Sequence, residues 1–299
     1  MNIKKFLLVF ILALMLTNVV TLFLLNRANN NQADYESIEE IDVNSPVAVI
    51  NGEEIFYNEW MQYLEVRYGE LGLEELIDRQ VVSQLAEQEG LSVQPGVIDY
   101  ELAMLATLAG QLPEQKVEQI EANWRRDIEH QILTDMLLSS DISITDEEVG
   151  AYYDRYQSEY EFSQRIELSH IVVDDQATAD RVYGELENGA AFSALAREYT
   201  IDEDSSDHGG YLGFFTSTSS FLPEGYFDRA LDLDEFSYTE PFSTYQGYVI
   251  VYLHRELPSI QLGFNELETY IRVKLAMEQV GDRASVKPLW QELNVDWIY

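Results

Sequence analysis

Hydrophobic positions along this chain change their spacing repeatedly, and each change marks an expected element. From Phe6 to Leu25 the residues are apolar except for Thr17, Asn18 and Thr21, and Lys4 and Lys5 stand before them. About twenty helical residues cover roughly 30 Å, the thickness of a bilayer's hydrocarbon core. One transmembrane anchor is therefore expected within residues 1–27. Two lysines precede the run and only Arg27 follows closely, which by the positive-inside bias puts the start in the cytoplasm and the bulk outside. A cleaved signal peptide is the alternative. Its apolar region is usually only about 7–15 residues long, and Leu24-Leu25-Asn26-Arg27 lacks the small residues of a cleavage site, although Ala28 and Ala33 leave a later cut open.

Residues 28–46 are polar and acidic and read as a tether. Order is expected to begin at Val47-Ala48-Val49-Ile50, turned by Asn51-Gly52 into Glu54-Ile55-Phe56, because Asn-Gly between apolar runs is a hairpin signal. Helical spacing follows at Leu73, Ile77, Val81 and Leu85, ending at Gly90. Two more helices are expected, over about 98–109 and 114–139, the latter with Val117, Ile120, Trp124, Ile128 and Ile132 on one stripe. Thr145-Asp146-Glu147-Glu148 caps another that carries Tyr152, Tyr153 and Tyr156.

The texture changes near residue 164. Ile166 to Val173 reads as a strand, and helical spacing resumes at Ala179, Val182 and Leu186 and again at Phe192, Leu195, Ala196 and Tyr199. A glycine-rich corner, Gly209-Gly210-Tyr211-Leu212-Gly213, precedes Phe214 and Phe215, and Gly247 to Leu253 reads as a buried strand. Strand, helix, helix and strand in this order make a compact α+β domain over 164–257. Helical periodicity returns at Leu267, Ile271 and Leu275, and the end, Val295 to Tyr299, has strand-like spacing. Helical sequence thus flanks the α+β module, so residues 47–163 and 258–299 are expected to form one mainly helical domain with the module inserted.

The formal net charge is −36. An excess of this size excludes sequence-independent nucleic-acid binding, which needs a basic face, and suits either a surface solvated in salt or alkali or attraction of cationic unfolded chains. Dispersal of the acids along the chain favours solvation. There is no cysteine, hence no disulfide framework and no thiol nucleophile. Asp202, Asp204, Ser206 and Asp207 are spaced like part of a calcium loop, but the required glycine is absent and Gly213 stands where the bidentate glutamate belongs. No Gly-x-Ser-x-Gly elbow marks a serine hydrolase.

Ser169-His170-Ile171-Val172, then Gly189 through Ala196, then Asp202 followed by Gly209 to Gly213, and finally Gly247-Tyr248, resemble the parvulin-type peptidyl-prolyl isomerases in order and near the right spacing. The flanks, Val47 to Gly52, Leu76-Ile77-Asp78 and Ile144 to Val149, resemble the membrane-associated foldases of PrsA and SurA type. The resemblance implies a four-stranded antiparallel sheet with helices, set into a chaperone-like domain. It also implies an extracytoplasmic foldase that acts on unfolded or proline-containing secreted polypeptides and uses no cofactor. Related foldases often hold to the membrane through a lipidated cysteine. A chain with none would rely on Phe6–Leu25.

Rotation about an X–Pro bond breaks amide resonance against a barrier of about 18–20 kcal/mol. It needs an apolar grip on the proline ring and polar groups that favour the twisted amide. Matched motif by motif, the resemblance puts Leu212, Leu222 and Phe227 at the proline pocket. His170, Asp202 and Thr244 fall at the polar site. The family places a second histidine directly after Gly-Tyr, where this chain has Val249, and His254 lies five residues further on, which a period of two assigns to the other face. That departure leaves two readings open: an isomerase, or a non-catalytic membrane-anchored chaperone that keeps the fold as a peptide-binding module.

Overall fold

The computed structural model describes residues 42–281 and 284–299. The anchor expected within residues 1–27 and nearly all of the tether over 28–46 lie outside them. Among the described residues no helix is long and apolar enough to cross a membrane. The chain divides into two compact units, Met1–Leu73 and Glu74–Tyr299.

In the first unit, strands β1 (Pro46–Ile50) and β2 (Glu53–Phe56) pair antiparallel. The two-residue turn takes positive φ at both positions, 52° at Asn51 and 89° at Gly52, which matches the right-handed twist of a hairpin. Helix α1 (Tyr57–Glu89) begins at once and crosses into the second unit. It starts well before the stripe at Leu73; the earlier turns left no periodic signal, since Trp60, Tyr63, Val66 and Leu71 are exposed and do not repeat as a single buried face.

The second unit is a mixture of helix and sheet. Its helical part contains the end of α1, α2 (Pro95–Ala109), α3 (Val117–Leu138) and α4 (Asp146–Tyr156). Helix α4 carries the full capping box: the Thr145 hydroxyl accepts from the Glu148 backbone N–H, and the Thr145 N–H donates to the Glu148 carboxylate. The sheet part follows, with β3 (Glu161–Phe162), β4 (Arg165–Val173), α5 (Gln176–Glu187), α6 (Phe192–Tyr199), the short α7 (Glu203–Ser206), β5 (Tyr211–Phe215) and α8 (Tyr226–Leu231). Strands β6 (Ser237–Tyr238), β7 (Phe242–Thr244), β8 (Gly247–Leu257) and β9 (Ile260–Gln261) come next, before helix α9 (Phe264–Val280). Val97, Ile132, Val149, Leu267 and Ile271 share one core, so α9 rejoins α2, α3 and α4 after the sheet part.

The main sheet is antiparallel, in the order β5-β4-β8-β6, with β7 also on β8. Five strands stand where four were expected. The outer position is divided in two: the Thr239 N–H still donates to the Val251 carbonyl, but Pro241 has no N–H to offer β8, and pairing resumes at Phe242. One face buries Leu168, Val172, Val249 and Val251 under α8; the other buries Ile171, Val173 and Ile250 under α5 and α6. Both faces being covered explains why β4 is buried almost throughout instead of alternating.

The strand expected at Val295 to Tyr299 does not form. That segment has no partner strand among the described residues, and its side chains serve packing instead: Val295 and Trp297 lie against Trp290, whose indole donates to Asp78 on α1 at 2.6 Å.

Candidate functional site

His170 lies on β4 and is 3% exposed. One glycine behind it sets its position. Gly210 has φ of 80°, and a Cβ there would come within 2.2 Å of the His170 carbonyl oxygen; the His170 N–H donates to the Gly210 carbonyl at 2.8 Å. Only a glycine permits that approach. It brings the chain after α7 against β4 and so carries the 202–206 turn to the imidazole.

Thr200 fastens the other side of the turn. Its hydroxyl accepts from the Val172 N–H at 3.1 Å, and the Ile201 N–H donates to the Val172 carbonyl at 2.8 Å. Asp202 is thereby held with Oδ2 2.9 Å from His170 Nε2, and the Ser205 hydroxyl donates to the same oxygen. On the far side of the ring, His170 Nδ1 is 3.0 Å from the hydroxyl of Tyr226, a fully buried residue of α8.

The carboxylate can only accept, so it selects the tautomer: Nε2 carries the proton toward Asp202, and Nδ1 accepts from Tyr226. Burial pushes the His170 pKa down, overcoming the opposite pull of Asp202, so the ring is neutral near pH 7. Burial alone would raise the Asp202 carboxyl, but the bonds from Ser205 and His170 take it below its ordinary value. Burial and the Asp202 charge push the Tyr226 phenol up. The site is thus a neutral imidazole between a phenol and an ionised, part-exposed carboxylate.

Leu212, Leu222 and Phe227 gather around the same apolar cluster as Tyr226, Val249 and Phe242. The three sequence-expected apolar residues therefore lie together on the side of the sheet that bears His170. Thr244 is placed differently. Its hydroxyl donates to the Gly247 carbonyl at 3.2 Å and accepts from the Gln246 N–H, closing the turn into β8. Val249 is fully buried, and His254 is on the opposite face, 2.7 Å from the Ser169 hydroxyl.

Sequence reasoning missed Tyr226, Ser205 and Thr200. Ser205 sits three residues from Asp202, the spacing at which a short polar side chain bridges one helical turn, and that signal was available. Tyr226 stands beside Phe227, and only the orientation of α8 tells which ring meets the histidine.

The model of the PPIC-type PPIASE domain matches residues 144–268. "Putative peptidyl-prolyl cis-trans isomerase YacD" of Bacillus subtilis is 34% identical over 254 residues, which are 85% of this chain and 85% of that protein. "Foldase protein PrsA" of Halalkalibacterium halodurans is 28% identical over 281 residues, 89% of this chain and 78% of that protein. Among solved structures, PrsA from Bacillus subtilis is 22% identical and covers 86% of this chain and 94% of its own, at a TM-score of 0.32.

Proposed function

This chain belongs to the PPIC-type peptidyl-prolyl cis-trans isomerase family, and on that premise we propose that it is a foldase working on the outer side of a membrane, on proline-containing secreted polypeptides. The observation that carries the reading is the Asp202–His170–Tyr226 chain of hydrogen bonds beside the apolar cluster of Leu212, Leu222 and Phe227. In the planar X–Pro amide, resonance loads negative charge on the carbonyl oxygen; twisting withdraws it. A fixed carboxylate near that oxygen raises the energy of the planar state more than that of the twisted one. Asp202 supplies the charge, Ser205 and His170 keep it ionised and aimed, and the apolar residues grip the proline ring out of water. Thr244 acts at one remove, by shaping the turn that leads to Val249.

In this reading residues 47–163 and 258–299 serve as the chaperone-like domain and residues 164–257 as the isomerase module. The apolar run Phe6–Leu25 is the anchor and residues 28–46 the tether. The lysine distribution supports an extracytoplasmic address, and the names of the relatives support a foldase role.

The test is refolding of a proline-limited client by the full chain. Acceleration that Asp202→Ala reduces supports the isomerase. Val249 in place of a second histidine favours the other reading, a peptide-binding chaperone without turnover. That reading expects suppressed aggregation, an unchanged refolding rate and indifference to Asp202→Ala.

A further inference from the structure

On the face of the sheet away from His170 there is a cavity of about 600 Å³, a volume typical of ligand sites. Its floor is β4 and β8 at Ser169, Tyr252 and His254; the loop between α2 and α3, including Gln111, Glu114 and Gln115, forms the opposite wall. A β-bulge at Glu167/Leu168 creates the floor: two successive β8 residues, His254 and Arg255, both serve this side, His254 meeting Ser169 and Arg255 meeting Glu167. Arg255 also donates to Glu121 on α3 and to the Gly110 carbonyl at the end of α2, which fixes the wall to the floor.

The lining has a consistent chemistry. Phe192 and Tyr252 lie with ring centroids 5.1 Å apart, and Tyr252 and His254 with theirs 4.7 Å apart. The Tyr252 hydroxyl points to the Glu114 carboxylate at 3.4 Å, and Tyr238, another lining residue, donates to Glu187 at 2.9 Å. Among the described residues that line the cavity, none is lysine or arginine. Burial, with the neighbouring Arg255, pushes the His254 pKa down to about 4, so this ring adds no positive charge near pH 7. The Gln111 and Gln115 amides offer both a donor and an acceptor to a peptide backbone.

We propose that this cavity is a second polypeptide-binding site, selective for a lysine or arginine side chain of an extended segment. Aromatic faces attract a cation, carboxylates complete its partners, and the strongly acidic chain draws basic segments toward it. The site would let the protein hold a basic stretch of a client on one face of the sheet while a proline is presented to the other. The inference rests on the foldase reading in one respect, that the occupant is an unfolded chain.

The experiment uses the full chain and three blocked, proline-free pentapeptides, Ac-Ala-Ala-Xaa-Ala-Ala-amide, with arginine, norleucine or glutamate at Xaa, measured by NMR titration. The arginine peptide is expected to bind about tenfold tighter than the norleucine peptide, with preference falling as salt rises. The glutamate peptide is expected not to bind, and the shift changes to centre on Tyr252 and His254. The exposed double variant Glu114→Gln/Glu187→Gln should remove the preference without touching the fold, and Tyr252→Leu should weaken binding as well. Equal binding of the arginine and norleucine peptides, a preference that survives the double variant, or shift changes around His170 and Tyr226 would overturn the proposal. Isomerisation of a proline peptide without basic residues is read in parallel. Its absence would remove the isomerase reading and leave this site standing, and its persistence without arginine selectivity would do the reverse.

Discussion

The hydroxyl of Tyr226 and Nδ1 of His170 are 3.0 Å apart, and this contact gives the histidine a partner where the family's second histidine is missing. A neutral imidazole needs one donor and one acceptor to be fixed in orientation. Tyr226 and Asp202 provide both, from a helix on one side of the ring and a turn on the other.

Tyr226→Phe keeps the ring and deletes only the hydroxyl. It leaves Nδ1 buried without a donor, at a cost of about 1–3 kcal/mol in stability. The His170 Nδ1 shift should move toward that of an unbonded imidazole nitrogen while Nε2 stays protonated toward Asp202, and the isomerase rate should fall severalfold. Unaltered nitrogen shifts would refute the orienting role.

Asp202→Asn removes charge with little change of shape. If the fixed carboxylate acts on the amide, kcat/KM for a proline peptide should drop about 10–100-fold, comparable to the loss of one electrostatic group elsewhere. Circular dichroism should show the fold unchanged.

Restoring the family histidine should not help. Val249 is fully buried against the cluster that holds Tyr226, so Val249→His places a polar ring among apolar side chains and should cost about 2–4 kcal/mol. No gain in isomerase rate is expected, because Nδ1 of His170 is already engaged. A faster enzyme would show that Tyr226 is an inferior substitute.

Arg255 is 2% exposed and donates to the fully buried Glu167 at 2.7 Å. Arg255→Met leaves that buried carboxylate without a counter-charge, with only the Tyr211 hydroxyl donating to it, and should cost about 3–5 kcal/mol in denaturant unfolding. Arg255→Met combined with Glu167→Leu should recover much of the loss.

His170, which is buried, and His254, which is half-buried, make stability fall on acidification. His254 is lowered to about 4 and His170 is also lowered, whereas in the unfolded chain both have the ordinary value of 6.5. Above pH 6.5 neither state binds the proton and the histidines contribute no slope. Between 6.5 and the folded values the unfolded state takes up protons that the native state refuses, so stability drops as pH falls, by up to roughly 3 kcal/mol for His254. His254→Gln should flatten the stability profile between pH 6.5 and 4. An unchanged slope would mean that His254 is not held neutral.

Much of the fold was legible in the sequence because it is local. The Asn51-Gly52 hairpin, the capping box at Thr145 and the helical stripes each depend on side chains a few residues apart, and the structure has all of them. His254 was assignable to the far face for the same reason, since alternation along a strand is a local rule. The division of the outer strand near Pro241 was not read from the sequence, since strand number depends on where β8 runs.

What only the tertiary structure decided is which distant groups meet. Tyr226 reaches His170 across 56 positions, and nothing local distinguishes it from Phe227 beside it. Val295 to Tyr299 has the spacing of a strand, yet a strand needs a neighbour to bond, and the segment packs on Trp290 instead. The resemblance put His170 and Asp202 at one polar site, and their 2.9 Å contact across 32 positions is a matter of tertiary distance. Thr244 came from the same resemblance, and the bond from its hydroxyl to the Gly247 carbonyl is visible only in the folded turn.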